Sequence, residues 1–197
     1  MIEKVIDFFL EKQIENKIIE VDEVSVYKFG YTLVLEAIIN FVLALVIGIV
    51  LDELLSVMLF LLFFVPLRSY CGGRHASTIP RCVVITNLII FLVAFTCRNK
   101  FLGVNYMLLM ILDFLFILII FVVKPQDSKS KKMDMKEKTE SQKIVRIQLL
   151  LHFLFLLMMT ILKNYYSVPI LFMVHMVQIV LLLIRDKNDE RKPEIGL

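Results

Sequence analysis

Six apolar segments, at roughly 31–51, 54–67, 83–96, 104–123, 144–162 and 168–184, alternate with short polar stretches along this chain. The first, fourth and fifth approach the roughly 20 residues that a simple membrane-spanning helix requires. The second and third are about 14 residues each and too short to cross unaided. Either their ends extend into residues 68–82, or that segment enters the membrane as a re-entrant stretch. Ahead of the first span, Ile2, Val5, Ile6, Phe9 and Leu10 are followed by Ile14 and Ile18 among charged residues. This spacing predicts an amphipathic helix within residues 1–30, either lying in the membrane interface or packed on cytoplasmic loops. The fold class is therefore an all-α integral membrane protein with about six transmembrane helices spread over residues 31–184.

Composition agrees with this pattern and narrows it. The 197-residue chain is 59% hydrophobic with a mean hydropathy of +0.81, more apolar surface than a soluble domain of this size carries. Its formal charge of +3 leaves no nucleic-acid footprint, and no nucleic-acid partner is expected. The placement of the charges is more informative. With six spans and a cytoplasmic N-terminus, 19 of the 22 Lys and Arg residues fall on inside segments and three outside. The positive-inside rule then puts both termini, the 68–82 segment and the 124–146 loop in the cytoplasm, with residues 185–197 as a tail. No cleavable signal is evident in the charged first thirty residues. Three cysteines, an odd number, argue against a disulfide framework.

Residues 68–82, Arg-Ser-Tyr-Cys-Gly-Gly-Arg-His-Ala-Ser-Thr-Ile-Pro-Arg-Cys, differ from everything around them. They hold two cysteines, one histidine and three arginines, with no acid. Pro80 suits the first position of a helix, and Ile79 before it is pushed away from helical geometry. The third span then starts at Pro80 with Cys82 in its first turn. Free N–H groups, the helix dipole and Arg81, Arg74 and Arg68 all favour a thiolate there. Gly72 and Gly73 supply a bend that can return His75 over the helix start. His75 would serve as base toward Cys82 and as acid toward a leaving amine. Loop N–H groups, with Ser77 and Thr78, are candidates for an oxyanion hole.

Other residues compete for these roles. Cys71, four residues before His75, is a rival nucleophile with no helix start behind it. A zinc site from Cys71, His75 and Cys82 lacks a fourth ligand and the usual paired spacing, so no metal or cofactor is assigned. Cys97 reads as a small hydrophobe. Glu36, Asn40, Asn87, Asp113, His152, His175 and Gln178 are polar residues inside spans and functional candidates by default. Asp113 lies mid-span, where it would line a peptide path, orient His75 or bond a neighbouring helix. No third member of a catalytic set is assignable. Lys129, Lys131 and Lys132 form the core of the hydrophilic loop, suited to fixing topology against anionic membrane lipid or to docking an acidic partner segment.

The arrangement Arg68-x4-Gly73-x-His75-Ala-x5-Cys82 resembles the accessory gene regulator protein B (AgrB) family of membrane cysteine endopeptidases in bacterial quorum sensing. The likeness extends to length, span number, the charged N-terminal helix and the lysine-rich loop; the extra Cys71 is a variation. The resemblance implies a cytoplasmic-membrane enzyme whose substrate is an AgrD-type precursor, with an amphipathic helix, a central signal sequence and an acidic tail. It implies that Cys82 and His75 carry the chemistry, that Arg68, Gly72, Gly73 and Arg74 support them, and that the protein self-associates as a dimer. A thiolactone or lactone peptide would be released. The competing reading is a small transporter or translocation subunit without covalent chemistry, in which Glu36, Asp113 and His152 act and Cys82 tolerates alanine. A transporter is expected to show repeated or broken helices; no convincing repeat occurs, and there are six glycines.

Overall fold

The computed structural model describes residues 2–16, 19, 23–71, 79–100, 105–123 and 134–183. Among them the chain forms helices α1 (Ile2–Glu15), α2 (Val24–Val50), α3 (Leu54–Cys71), α4 (Ile79–Arg98), α5 (Tyr106–Val122), α6 (Met135–Ile161) and α7 (Ser167–Leu183) and no strand. Four of these, α2, α3, α4 and α6, are long and apolar enough to cross a membrane, and α5 and α7 are shorter apolar helices. The six apolar segments thus correspond to six apolar helices, four of them of spanning length. The two segments that looked too short are longer in the structure: α3 extends at its C-terminal end to 18 residues, and α4 at both ends to 20. Whether residues 72–78 are re-entrant lies outside the described residues.

Most side chains of α2 face outward. Only Ala44 and Gly48 are buried, whereas Val34, Ile38, Val46, Ile49 and Val50 are exposed. In water such a helix would be unstable; lipid is the solvent that fits it. The core belongs to α7, which packs on α3, α4, α5 and α6 and is buried along most of its length. Apolar burial does not drive association in lipid, so close packing and polar contacts must hold the bundle. Gly48 is one such close approach. A Cβ built there would sit 3.0 Å from the Leu54 Cα and 3.3 Å from its Cδ1.

The α2–α3 and α6–α7 connections are tight turns of one design. Asp52 and Lys163 follow the helix ends with φ of 54° and 55°, in the left-handed region. Glu53 N–H donates to Gly48 O at 2.8 Å and Asn164 N–H to Met159 O at 2.9 Å, closing each helix with the paired bonds of a Schellman cap. Turns this short make the joined helices antiparallel. Glu53 accepts from the Ser56 hydroxyl and, at 3.3 Å, from the Tyr166 hydroxyl, which ties the two turns together.

At the other end, α1 packs on the start of α2 through Ile6 and Leu10, which meet Ile19, Val24, Tyr31 and Leu35. Asp7 pairs with Lys28 at 2.7 Å, and Gln13 and Tyr31 share hydrogen bonds. The amphipathic segment thus divides: its first part is a separate helix, while residues 24–30 already belong to the first span. Phe8 and Phe9 stay exposed, so α1 presents aromatic surface away from α2. The basic stretch 124–146 divides as well. Asp134 caps α6 with Glu137 in a capping box, and Lys136, Lys138, Lys143 and Arg146 all ride on that helix.

Candidate active site

Helix α4 begins at Ile79, one residue earlier than the proline predicts, and Cys82 falls in its first turn as expected. Amides in that turn lack intrahelical partners, so the sulfur sits where negative charge is best received. Two other helices complete its surroundings. Arg68 is in the last turn of α3, half-buried, with its guanidinium 5.8 Å from the Phe64 ring centroid. Glu36, half-buried on α2, and Thr86, one turn further along α4, line the same recess as Cys82. Arg68 acts electrostatically on both Cys82 and Glu36.

These four side chains line one cavity of about 630 Å³. Its remaining walls are largely apolar, including Leu33, Phe41, Met58, Leu62, Val65 and Ile89 from α2, α3 and α4. A mostly apolar recess with a few convergent polar groups is the usual form of a ligand site. Further along the same helices, Asn87 Nδ2 donates to Asn40 Oδ1 at 2.7 Å. The pairs Glu36–Cys82 and Asn40–Asn87 ascend both helices together, so α2 and α4 run parallel and the amide pair fixes their register.

The structure therefore unites Cys82 with Arg68, two of the residues singled out from sequence. Gly72, Gly73, Arg74, His75, Ser77 and Thr78 lie outside the described residues, as do Lys129, Lys131 and Lys132. Cys71 is separated from the cavity. It is 4% exposed and belongs to an apolar cluster with Leu67 and Phe64. Glu36 is the residue that sequence reasoning left without a role here. Its only signal was an acid within an apolar span.

A second polar group is buried on the opposite side of the bundle. His175 Nδ1 lies 2.7 Å from Asp113 Oδ1, and His175 Nε2 lies 3.1 Å from His152 Nδ1. The three residues come from α7, α5 and α6, and Asp113 is the inter-helix bond that one reading of the sequence anticipated.

Fold and site together define a polytopic helical membrane protein with a cysteine set between helices at the edge of its bundle. The family model for accessory gene regulator B matches residues 2–182, and the chain belongs to that family. It is 23% identical over 172 residues to AgrB-like protein 2 of Clostridium perfringens (strain 13 / Type A), covering 85% of this chain and 80% of that one. A second AgrB-like protein, from Clostridium perfringens (strain SM101 / Type A), is 22% identical over 170 residues, 84% of this chain and 79% of the relative. No solved structure matches. Family membership supports a role in the agr quorum-sensing system, membrane association and an AgrD-type precursor as partner.

Proposed function

We propose that this protein is a membrane cysteine endopeptidase that removes the C-terminal tail of an AgrD-type precursor and cyclises what remains. The observation that carries the reading is the half-buried Cys82 thiol, in the first turn of α4 beside Arg68, at a polar part of an otherwise apolar cavity. In the first step the sulfur bonds to the carbonyl carbon that ends the signal sequence. His75 takes the thiol proton as general base, the C–N bond breaks, and the imidazolium gives that proton to the leaving amine as general acid. The signal sequence is then held as a thioester. In the second step a cysteine thiol or serine hydroxyl within the bound peptide attacks that carbon and gives its proton to His75, which passes it to the departing Cys82 sulfur.

A thioester is more reactive than the amide it replaces, so the first step is unfavourable alone and is drawn forward by departure of the tail or the ring. Water is the competing nucleophile. A recess walled by apolar side chains limits its access, and tethering the internal nucleophile raises its effective concentration. The precursor's amphipathic helix would be confined to the membrane surface, and its acidic tail would meet the basic segment around Lys129, Lys131 and Lys132. Both termini and the catalytic segment face the cytoplasm in this reading, and self-association as a dimer goes with it.

The test is cleavage of a matched precursor in liposomes by wild type, Cys82→Ala, His75→Ala and Cys71→Ala. Loss of cleavage on removing Cys82 or His75, with Cys71→Ala active, is the expected pattern. Cleavage by Cys82→Ala would overturn the site assignment and bring Cys71, or a role without covalent chemistry, to the front.

A further inference from the structure

The hydrogen bond between α2 and α4 uses only part of the Asn40 amide. Asn87 Nδ2 donates both to Val83 O of its own helix, at 2.8 Å, and to Asn40 Oδ1, at 2.7 Å. The Val83 carbonyl thus sets which end of the Asn87 amide faces α2, and that end takes the Asn40 oxygen. Asn40 Nδ2 is left over: among the described residues it donates to no acceptor. The Asn40 side chain lines the cavity that holds Cys82. We propose that Asn40 is a substrate-binding residue, its spare N–H donating to a backbone carbonyl of the precursor about two residues ahead of the scissile bond. The proposal rests on Cys82 being the nucleophile of the peptidase described above.

Spacing along the helices gives the position. Cys82 and Asn87 are five residues apart on α4, about 7.5 Å of helical rise. Asn40 meets α4 at the Asn87 level, and an extended peptide advances about 3.3 Å per residue. The direction follows from the walls. The lining residues Phe41, Met58, Leu61, Ile89 and Ile90 are all apolar. An acidic tail would lose its hydration against them, whereas the segment held on the sulfur must stay sheltered until the ring closes.

A peptide entering such a recess brings polar backbone groups that apolar walls cannot satisfy, and each one left bare is costly. Asn40 supplies a donor at this level. Linking α2 to α4 needs only the Asn40 oxygen, so the unspent N–H is the feature that a purely structural pair does not account for. The bond to Asn87 also holds the amide in one orientation, so little side-chain freedom remains to be lost when the precursor binds.

Steady-state cleavage by the full chain in liposomes tests this with a matched precursor and with analogues in which an ester replaces one backbone amide. The ester is placed in turn at each of the three positions ahead of the scissile bond, and its carbonyl is the weaker acceptor. For wild type one ester, expected at the second position, should raise KM by about 3–10-fold, the effect of losing one hydrogen bond. Asn40→Ala should raise KM for the all-amide precursor by a similar factor, keep kcat within about threefold and erase the ester response. Asn87→Ala breaks the same inter-helix bond but leaves the donor, so its ester response should persist. A wild type indifferent to all three esters, or an Asn40→Ala variant that responds to them as wild type does, overturns the proposal. Equal loss of the response in both variants also overturns it and leaves Asn40 a helix linker alone. If Asn40→Ala does not fold, Asn40→Ser, which keeps a small polar group on α2 but withdraws the amide, takes its place under the same readings. Inactivity of Cys82→Ala keeps the peptidase reading whichever way Asn40 falls, and cleavage by Cys82→Ala removes that reading instead.

Discussion

His175 Nδ1 and Asp113 Oδ1 lie 2.7 Å apart, both in the fully buried interior between α5 and α7. Nδ1 of the His175 ring faces the Asp113 carboxyl and Nε2 faces His152 Nδ1, so one imidazole bonds a partner on each side. A single chain of hydrogen bonds thereby joins three helices that apolar contact in lipid would hold weakly. The Phe63 ring of α3 stands edge-on against His152, with centroids 4.8 Å apart, and couples the chain to a fourth helix.

Replacing Asp113 by Leu leaves His175 Nδ1 without its partner in a site closed to water. The thermal midpoint in detergent should drop, reflecting a loss of about 1–3 kcal/mol. Asp113→Asn keeps an acceptor oxygen and should lose much less. Cleavage per folded molecule should survive in both, because the Cys82 cavity is built from α2, α3 and α4. Equal stability of the Leu variant and wild type would show that this hydrogen bond contributes nothing.

Two glycines of α2 should respond in opposite ways to alanine. At Gly48 the added methyl meets the Leu54 backbone at 3.0 Å, so the α2–α3 turn must shift, and overpacking of this kind costs about 1–3 kcal/mol. At Gly30 nothing lies within 4 Å. Alanine there should be neutral or raise stability by up to about 1 kcal/mol through helix propensity. Thermal unfolding of the two variants side by side separates the cases.

The cysteines should differ in reactivity. Cys71 is enclosed by apolar side chains, whereas Cys82 is half-buried at a cavity with a guanidinium nearby. A small neutral alkylating reagent, applied to the protein in membranes and followed by peptide mass spectrometry, should label Cys82 well before Cys71. Faster labelling of Cys71 would make it the stronger nucleophile and reverse the assignment.

Lys129, Lys131 and Lys132 are the proposed dock for an acidic tail. Changing all three to Glu should weaken crosslinking to a tailed precursor, and the wild-type signal should decline with added salt as the charges are screened. Unchanged processing by the triple variant would eliminate docking at these lysines.

The sequence by itself determined the solvent of this protein and much of its helical layout. Apolar runs of the right length dictate lipid-facing helices because backbone polar groups in a bilayer must be satisfied within the helix. The start of α4 was nearly as legible, since Pro80 constrains backbone locally and so placed Cys82 in a first turn. The capping box at Asp134 was equally local, written as Asp134 and Glu137 three residues apart, yet it was hidden inside what read as a polar loop. What only tertiary structure decided is which side chains meet across helices. Glu36, Arg68 and Cys82 lie on α2, α3 and α4, and Asp113, His152 and His175 on α5, α6 and α7. No periodicity within one helix states which face of another it will oppose. The same limit applies to Cys71, which stood as a rival nucleophile in the sequence. Its burial follows from the face of α3 that turns toward the bundle, a choice made by packing among several helices rather than by any residue near it in the chain.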